Sequence, residues 1–317
     1  MNDLKAGPRV GTDHLAEKGR SQAGAVVLIT GATGGIGGRT ARLLAGMGHH
    51  VYGAGRRKAA LEELAGCGVH PLVMDMTDEG TLQKAVSSVL AREGRIDVLI
   101  NDAGYGSYGA VEDVPLEEVR HQFEVNLFGL ARLTQLVLPT MRRRGKGRII
   151  NVSSMAGRMT TYMGAWYHAT KYALEAFSDA LRMETAPFGI DVVLVEPGCI
   201  KTDWGPIAAR HLEESAGRGP YAAQSRKAAE GLRRLYGSAL VSDPGLIART
   251  MVKAIRSARP KTRYLVGMGA RPLVALHALL PDRAFDWLMV HASDQWVADL
   301  ASVIRSIPNL PERTARL

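Results

Sequence analysis

Val26-Val27-Leu28-Ile29-Thr30-Gly31-Ala32-Thr33-Gly34-Gly35-Ile36-Gly37 runs from a short apolar stretch, through a glycine-rich turn, into a helical pattern that covers roughly residues 35–46. Four apolar residues without polar alternation are what a strand buried on both faces looks like. Glycines let the backbone turn tightly and approach another group closely, and the start of the following helix offers free N–H groups and positive potential. Such a turn is either a plain structural reversal or a cradle for a pyrophosphate. Its place between strand and helix, first in a β-α series, favours the cradle.

The same alternation continues outward. Apolar runs recur at His50–Ala54, Val69–Met74, Asp97–Ile100, Arg148–Ser153 and Asp191–Glu196, with Tyr264–Val266 as a last member. Between them lie helix-length segments at about 35–46, 57–65, 79–93, 117–144 and 165–187. Strand–helix alternation of this kind predicts an α/β fold: a doubly wound parallel sheet with right-handed crossovers and helices on both faces. Ligands bind such sheets at the carboxyl ends of the strands, so chemistry should cluster just after each apolar run.

Residues 200–240 break the rhythm, with few strand signals and many Ala, Gly, Arg and Tyr residues before helix returns near Pro244. The tail from Arg271 to Ile307 is rich in Leu and Trp, in helical pieces punctuated by Pro272 and Pro281. The expected organisation is a flexible leader at 1–24, a single dinucleotide-binding domain at 25–270 with a substrate-covering insertion at 200–240, and a helical extension at 271–317.

Bulk properties narrow the class. The chain has 317 residues, 46% hydrophobic and 22% charged, as a soluble globular protein does. Cys67 and Cys199 have no paired spacing, so neither a disulfide framework nor a zinc site is indicated, and a reducing, cytoplasmic setting is expected. His49-His50 lack a third ligand at metal-site spacing, and no metal is expected. The leader lacks a secretory apolar core, and no apolar stretch is long enough to span a bilayer. The net charge of +9 admits an acidic cofactor, an anionic membrane or nucleic acid. Its densest run, Arg142 to Arg148, ends a helical pattern, where basic residues suit the negative helix terminus; no nucleic-acid partner is expected.

The end of the second strand bears on the cofactor. Ala54-Gly55-Arg56-Arg57 offers no carboxylate for ribose hydroxyls until Glu62. Arg56, with Arg57 beside it, is placed to fork onto a 2′-phosphate, so NADP(H) is expected over NAD; the alternative is that both arginines solvate the next helix.

Tyr167 and Lys171 stand four residues apart and share a helix face, with Ser154 thirteen positions before the tyrosine. A phenol titrates near pH ~10, and a neighbouring ammonium lowers that value while a serine hydroxyl can bond the reacting oxygen. A Tyr–Lys pair at this spacing is also common as an ordinary exposed couple.

With these residues together, the chain resembles the short-chain dehydrogenase/reductase family over roughly residues 25–270. The glycine turn fits both the shorter branch (Thr-Gly-x-x-x-Gly-x-Gly) and the extended, sugar-nucleotide-modifying branch (Thr-Gly-x-x-Gly-x-x-Gly). Asn101-Asp102-Ala103-Gly104, similar to Asn-Asn-Ala-Gly, and the Ser154–Tyr167 gap point to the shorter one, with Asp102 departing from its motif. The resemblance implies a Rossmann fold and hydride transfer. Tyr167 would be the general acid/base, Lys171 would lower its pKa and hold the nicotinamide ribose, and Ser154 would polarise the carbonyl. Ser153, its neighbour in the strand, would point to the other face. Asn126 would hold a water linking Lys171 to solvent, or else be a buried, helix-kinking polar residue. The implied cofactor contacts are Gly31, Thr33, Gly34, Gly35, Ile36 and Gly37 in the turn; Arg56 and Arg57; Asp75 and Met76 at the adenine; Asn101, Ala103 and Gly104; Tyr167 and Lys171; and Pro197, Gly198, Ile200 and Thr202 at the carboxamide.

The stretch Glu196–Trp204 and the Leu-rich tail resemble the hydroxysteroid- or retinol-dehydrogenase-like branch, implying a carbonyl reductase for a hydrophobic ketone or aldehyde and its alcohol. Tyr162, Met163, Trp166, Trp204 and Tyr221 are candidate lining. A non-catalytic dinucleotide sensor or scaffold and a sugar-nucleotide-modifying enzyme are the alternatives. Family members pair through helices like 117–144 and 165–187, which implies a homodimer or homotetramer. The tail from Arg271 to Gln295 permits membrane contact, though cover over the site or a subunit contact is preferred.

Overall fold

The computed structural model describes residues 24–216 and 219–291. The expected leader, apart from Gly24, and the tail beyond His291 lie outside the described residues. Seven strands form: β1 (Val26–Ile29), β2 (His50–Gly55), β3 (Val69–Val73), β4 (Val98–Asn101), β5 (Gly147–Val152), β6 (Ile190–Pro197) and β7 (Arg263–Val266). They make one fully parallel sheet in the order β3-β2-β1-β4-β5-β6-β7. The helices are α1 (Gly35–Gly46), α2 (Lys58–Ala65), α3 (Glu79–Glu93), α4 (Leu116–Phe123), α5 (Gly129–Arg143), α6 (Ala165–Thr185), α7 (Trp204–Ala216), α8 (Ala222–Gly237), α9 (Pro244–Arg256), α10 (Ala270–Leu279) and α11 (Asp282–His291). The doubly wound sheet read from the sequence is the one observed.

Successive strand residues face opposite sides, which gives two cores. Val27, Ile29, Ile100, Ile150 and Val193 pack with Leu44 of α1 and Met251 and Ile255 of α9. Val26, Leu28, Leu99, Ile149 and Val192 pack with Val89 of α3, Leu133 and Val137 of α5, and Leu174 of α6. Each fully buried side chain of this size contributes about 1.5–3 kcal/mol of transfer free energy. The bottom of the sheet is pinned by Asp97: its carboxylate accepts the Val26 N–H at 2.8 Å and pairs with Arg95 at 3.0 Å and Arg144 at 2.5 Å.

Two segments differ from expectation. The single helix predicted at 117–144 is divided by a π-helical turn at Glu124–Phe128. There the Asn126 amide donates to the Tyr105 carbonyl (2.9 Å) and the Thr170 hydroxyl (3.1 Å), and its oxygen accepts the Tyr105 N–H (3.1 Å). Single π-turns of this kind inside an α-helix are frequent at functional sites. Residues 200–240 are largely a helix pair, α7 against α8, with Ala208, Ala209, Leu212 and Ala229 buried between them. Alanines are strong helix formers but write a faint apolar stripe, which hides the period. Of the two tail prolines, Pro272 sits inside the first turn of α10, where proline is tolerated, and Pro281 separates α10 from α11.

Candidate functional site

The sheet order reverses between β1 and β4, and a mostly apolar cavity of about 690 Å³ opens there at the carboxyl ends of the strands. The glycine turn forms one wall. Gly31 has φ +66°, and a Cβ on it would lie 2.9 Å from the Ala103 nitrogen. A Cβ on Gly37 would lie 2.5 Å from the Gly31 carbonyl oxygen and 2.7 Å from Asp102 Oδ2, so α1 can start this close to the turn only without a side chain there. Thr30 locks the neighbouring loop, its hydroxyl accepting the N–H groups of Asp102 (3.0 Å) and Ala103 (2.9 Å). Gly34 caps α1 without a side-chain bond, leaving the first N–H groups of the helix to the cleft lined by Gly34, Gly35 and Ile36. This cradle fits an anionic pyrophosphate.

Arg56, two-thirds exposed at the end of β2, lies 3.8 Å from Asp75, and the Arg57 guanidinium donates to the Thr33 carbonyl of the turn. Burial alone would raise the Asp75 pKa, but hydrogen bonds from the Thr77 N–H and hydroxyl, with the charge of Arg56, hold it below the usual carboxylate range. Met76, Ala103 and Gly104 also line the cavity, as do Pro197, Gly198, Ile200 and Thr202. Asn101 does not. Its amide crosses from β4 to Asn151 of β5 at 2.9 Å, tying strands together below the cleft. Gly37 lies behind the turn, and Asn126 sits behind Gly104 and Lys171, so both support the wall rather than form it.

Ser154, at the end of β5, and Tyr167 and Lys171, on one face of α6, meet on the cavity floor. The Ser154 hydroxyl accepts the Ala156 N–H at 3.1 Å and donates weakly to the Pro197 carbonyl at 3.4 Å. Lys171 Nζ donates to the Val152 carbonyl at 2.9 Å and lies 5.9 Å from the Tyr167 ring centre. Tyr167 is raised rather than lowered, and Lys171 is not among the groups that move it. Burial pushes the phenol up to about 12 and the Ser154 hydrogen bond draws it down, while the lysine cation is turned toward a carbonyl. Burial lowers Lys171 to about 8 against the opposing pull of Asp102 and Glu175. Asp102 is pushed up to about 8 by burial, opposed by Lys171 and by a hydrogen bond from the Gly37 N–H. Together the trio can hand a proton to an oxygen in a largely dry pocket.

The remaining lining comes from distant segments. Tyr162 and Trp204 line the cavity as the sequence suggests, whereas Met163, Trp166 and Tyr221 do not. Trp204 lies 5.1 Å from the Tyr167 ring centre, with Tyr108 and Tyr236 against its own ring at 5.6 Å. Leu212, Leu232, Leu235 and Tyr236 of α7 and α8 extend the apolar wall, closed by Leu273 of α10 and Met289 of α11. The sequence singled out neither Tyr108 nor His168. His168 is buried, accepts the Thr161 N–H (3.1 Å) at Nε2 and so presents Nδ1 as donor to the Met159 carbonyl (2.8 Å), pinning the loop after Ser154. Its place one residue after the tyrosine was the available signal. No group of three or more His, Cys, Asp or Glu residues among the described residues could hold a metal ion, and no helix among them is long and apolar enough to cross a membrane.

A family profile described as short chain dehydrogenase matches residues 25–210. The chain is 41% identical over 193 residues to the 3-ketodihydrosphingosine reductase of Bacteroides thetaiotaomicron, covering 61% of this chain and 70% of that protein. It is 34% identical over 270 residues to the NADPH-dependent 3-dehydrocapnine reductase of Ornithobacterium rhinotracheale, covering 82% and 94%. A short-chain dehydrogenase structure from Streptomyces avermitilis superposes with a TM-score of 0.70 at 31% identity, covering 89% of this chain and 99% of the other. The chain therefore belongs to the short-chain dehydrogenase/reductase family, oxidoreductases that bind a nicotinamide dinucleotide.

Proposed function

We propose that the protein is an NADP(H)-dependent oxidoreductase that interconverts a hydrophobic ketone or aldehyde and its alcohol. The observation that carries this reading is the meeting of Ser154, Tyr167 and Lys171 on the floor of a mostly apolar cavity whose other end holds Arg56 and Arg57. The names of the two relatives, a 3-ketodihydrosphingosine reductase and an NADPH-dependent 3-dehydrocapnine reductase, support it. The cofactor, when bound, supplies or accepts the hydride.

The chain's own residues do the rest. The glycine turn and the α1 N-terminus bind the pyrophosphate, and Arg56 bonds the 2′-phosphate. Pro197, Gly198 and Thr202 orient the carboxamide. Ser154 donates to the substrate oxygen, and Tyr167, whose raised pKa keeps its proton through the neutral range, delivers that proton as the oxygen gains charge. Lys171 supplies positive charge beside both, and the aromatic cluster at Trp204 with the α7–α8 wall excludes water from an alkyl or ring substrate. Pairing of subunits through α5 and α6 would cover the exposed Phe128, Tyr172 and Met183.

The test is a panel of lipophilic ketones and aldehydes assayed with NADPH and NADH. Turnover of long-chain or cyclic ketones with NADPH is expected. Binding of NADPH without turnover of any carbonyl would favour a sensor, and preferential binding of a sugar nucleotide would favour the other alternative.

A further inference from the structure

Behind the reacting groups lies a buried charged cluster that neither the cofactor cradle nor the proton-transfer trio uses. Glu196 of β6 is 0% exposed and Glu175 of α6 only 6% exposed, and their carboxyls face one another. Arg263 of β7 reaches both: its Nε lies 3.0 Å from Glu196 Oε1 and 3.1 Å from Glu175 Oε2, and its Nη2 lies 2.6 Å from Asp179. Arg158, in the loop after Ser154, stands 3.5 Å from Glu196 Oε2, and the Ser153 hydroxyl faces Glu175. Asp179 is shared with Arg182, Tyr172 lies near Arg158, and Lys171 feels the charge of Glu175 from one turn away. None of Arg158, Glu175, Glu196 and Arg263 lines the cavity.

Two features make this more than an ion-pair network. Both oxygens of Glu196 and Oε1 of Glu175 lack an aligned hydrogen bond despite their burial, an arrangement that two ionised carboxylates in contact could hold only at high cost. A proton shared between the carboxyls removes the repulsion and supplies the missing bond. The cluster also draws its residues from each segment that carries the site. Glu175 is one helical turn beyond Lys171 and two beyond Tyr167. Glu196 directly precedes Pro197, whose carbonyl receives the Ser154 hydroxyl, and Ser153 directly precedes Ser154.

We propose that Glu175 and Glu196 share one proton and act as positioning residues, clamping α6 to β6 and so fixing Lys171 and the Pro197-Gly198 segment at the nicotinamide end of the site. Losing that proton sets two negative charges against each other between the helix and the strand and loosens the register of the two. Burial first, and then the facing Glu175, raise the Glu196 pKa, which puts this loss on the alkaline side of an ordinary carboxyl titration. The proposal rests on the nicotinamide-binding reading of the site.

The experiment measures NADPH affinity by fluorescence, without substrate, from about pH 6 to about pH 9, for the full chain and for Glu196→Gln and Glu175→Gln. Titrations of Asp102 and the cofactor's own phosphate are common to all three proteins and cancel in the ratio of their affinities; because Glu175 supports the charge on Lys171, Glu196→Gln, which keeps Glu175, is the deciding variant and Glu175→Gln the supporting one. The unsubstituted protein is expected to lose about fivefold more affinity than either amide variant across this range, the lower end of ordinary coupling between two sites. At the acid end Glu196→Gln should bind as the unsubstituted protein does, while Glu196→Ala, which cannot bridge, binds more weakly at every pH. Identical pH dependence in all proteins overturns the proposal. So does failure of both amide variants to fold, judged by thermal melting, since the pair would then be purely structural. Absence of NADPH binding by the unsubstituted protein at any pH would instead sink the cofactor reading, and this inference with it.

Discussion

Arg56→Ala separates the two dinucleotides. Arg56 is two-thirds exposed and its nearest partner, Asp75, is 3.8 Å away and a third exposed. A surface pair of that kind contributes about 0–1 kcal/mol to folding, so the substitution leaves thermal stability nearly unchanged. A guanidinium on a phosphate makes charge-assisted bonds, each worth about 1.5–3 kcal/mol. At 1.4 kcal/mol per decade, NADPH affinity falls by roughly 10- to 100-fold. NADH presents a hydroxyl there instead, and its affinity changes little. The Arg57 guanidinium donates to the Thr33 carbonyl of the turn, so it would take over from Arg56 only by giving up that bond. Isothermal titration with both cofactors, repeated at high salt, reads the effect, and salt should narrow the difference because the site is open to solvent. Equal losses for NADPH and NADH, or none for NADPH, would refute the assignment of a 2′-phosphate to Arg56.

Three further outcomes are expected. Gly37→Ala drives a methyl to within 2.5 Å of the Gly31 carbonyl oxygen, costing about 1–3 kcal/mol of stability and abolishing dinucleotide binding, as melting and titration will report. Asp97→Asn loses two arginine partners at the base of the sheet and is expected to destabilise by about 2 kcal/mol. The folded-state pKa of Asp97 is depressed, so its contribution is full above the unfolded value and is lost as pH falls through the lower folded one; the difference between the two proteins in denaturant melts should shrink in acid. Reductive turnover should hold through the neutral range and fall as pH rises through about 8, where Lys171 loses its charge, long before Tyr167 ionises near about 12. A pH–rate profile checks this, and Lys171→Arg should move the limb upward.

All seven strands were legible, the five inner ones because parallel strands buried on both faces write unbroken apolar runs and the half-exposed edge strands β3 and β7 from their place in the alternation, and the glycine turn was legible because steric closeness forbids anything else at Gly37. The π-helical turn was legible only as a kink at a buried Asn126; its form depends on where the Asn126 amide finds the Tyr105 backbone, a contact twenty-one residues away. The α7–α8 pair escaped because alanine-rich faces bury little apolar area per turn. Asn101 carries a motif position yet serves the sheet, joining β4 to Asn151, and nothing in its neighbours distinguishes that from a cofactor contact. Spacing places Lys171 and Tyr167 on one face of α6, but only the tertiary structure reveals that the Val152 carbonyl takes the ammonium. Tyr108 and Tyr236 reach Tyr167 and Trp204 from opposite sides of the chain, which no local pattern records.

Proton delivery by Tyr167 is tested most directly by Tyr167→Phe in a single-turnover experiment with NADPH and a lipophilic ketone that the unsubstituted protein reduces. NADPH binding should persist, weakened by no more than the loss of one hydroxyl contact, because the ring remains and the cradle is remote. Loss of NADPH absorbance on mixing with ketone should slow by about 10²- to 10⁴-fold, the usual contribution of a general acid. Oxidation of NADPH by the variant at a rate within a few-fold of the unsubstituted protein would contradict the role assigned to the phenol.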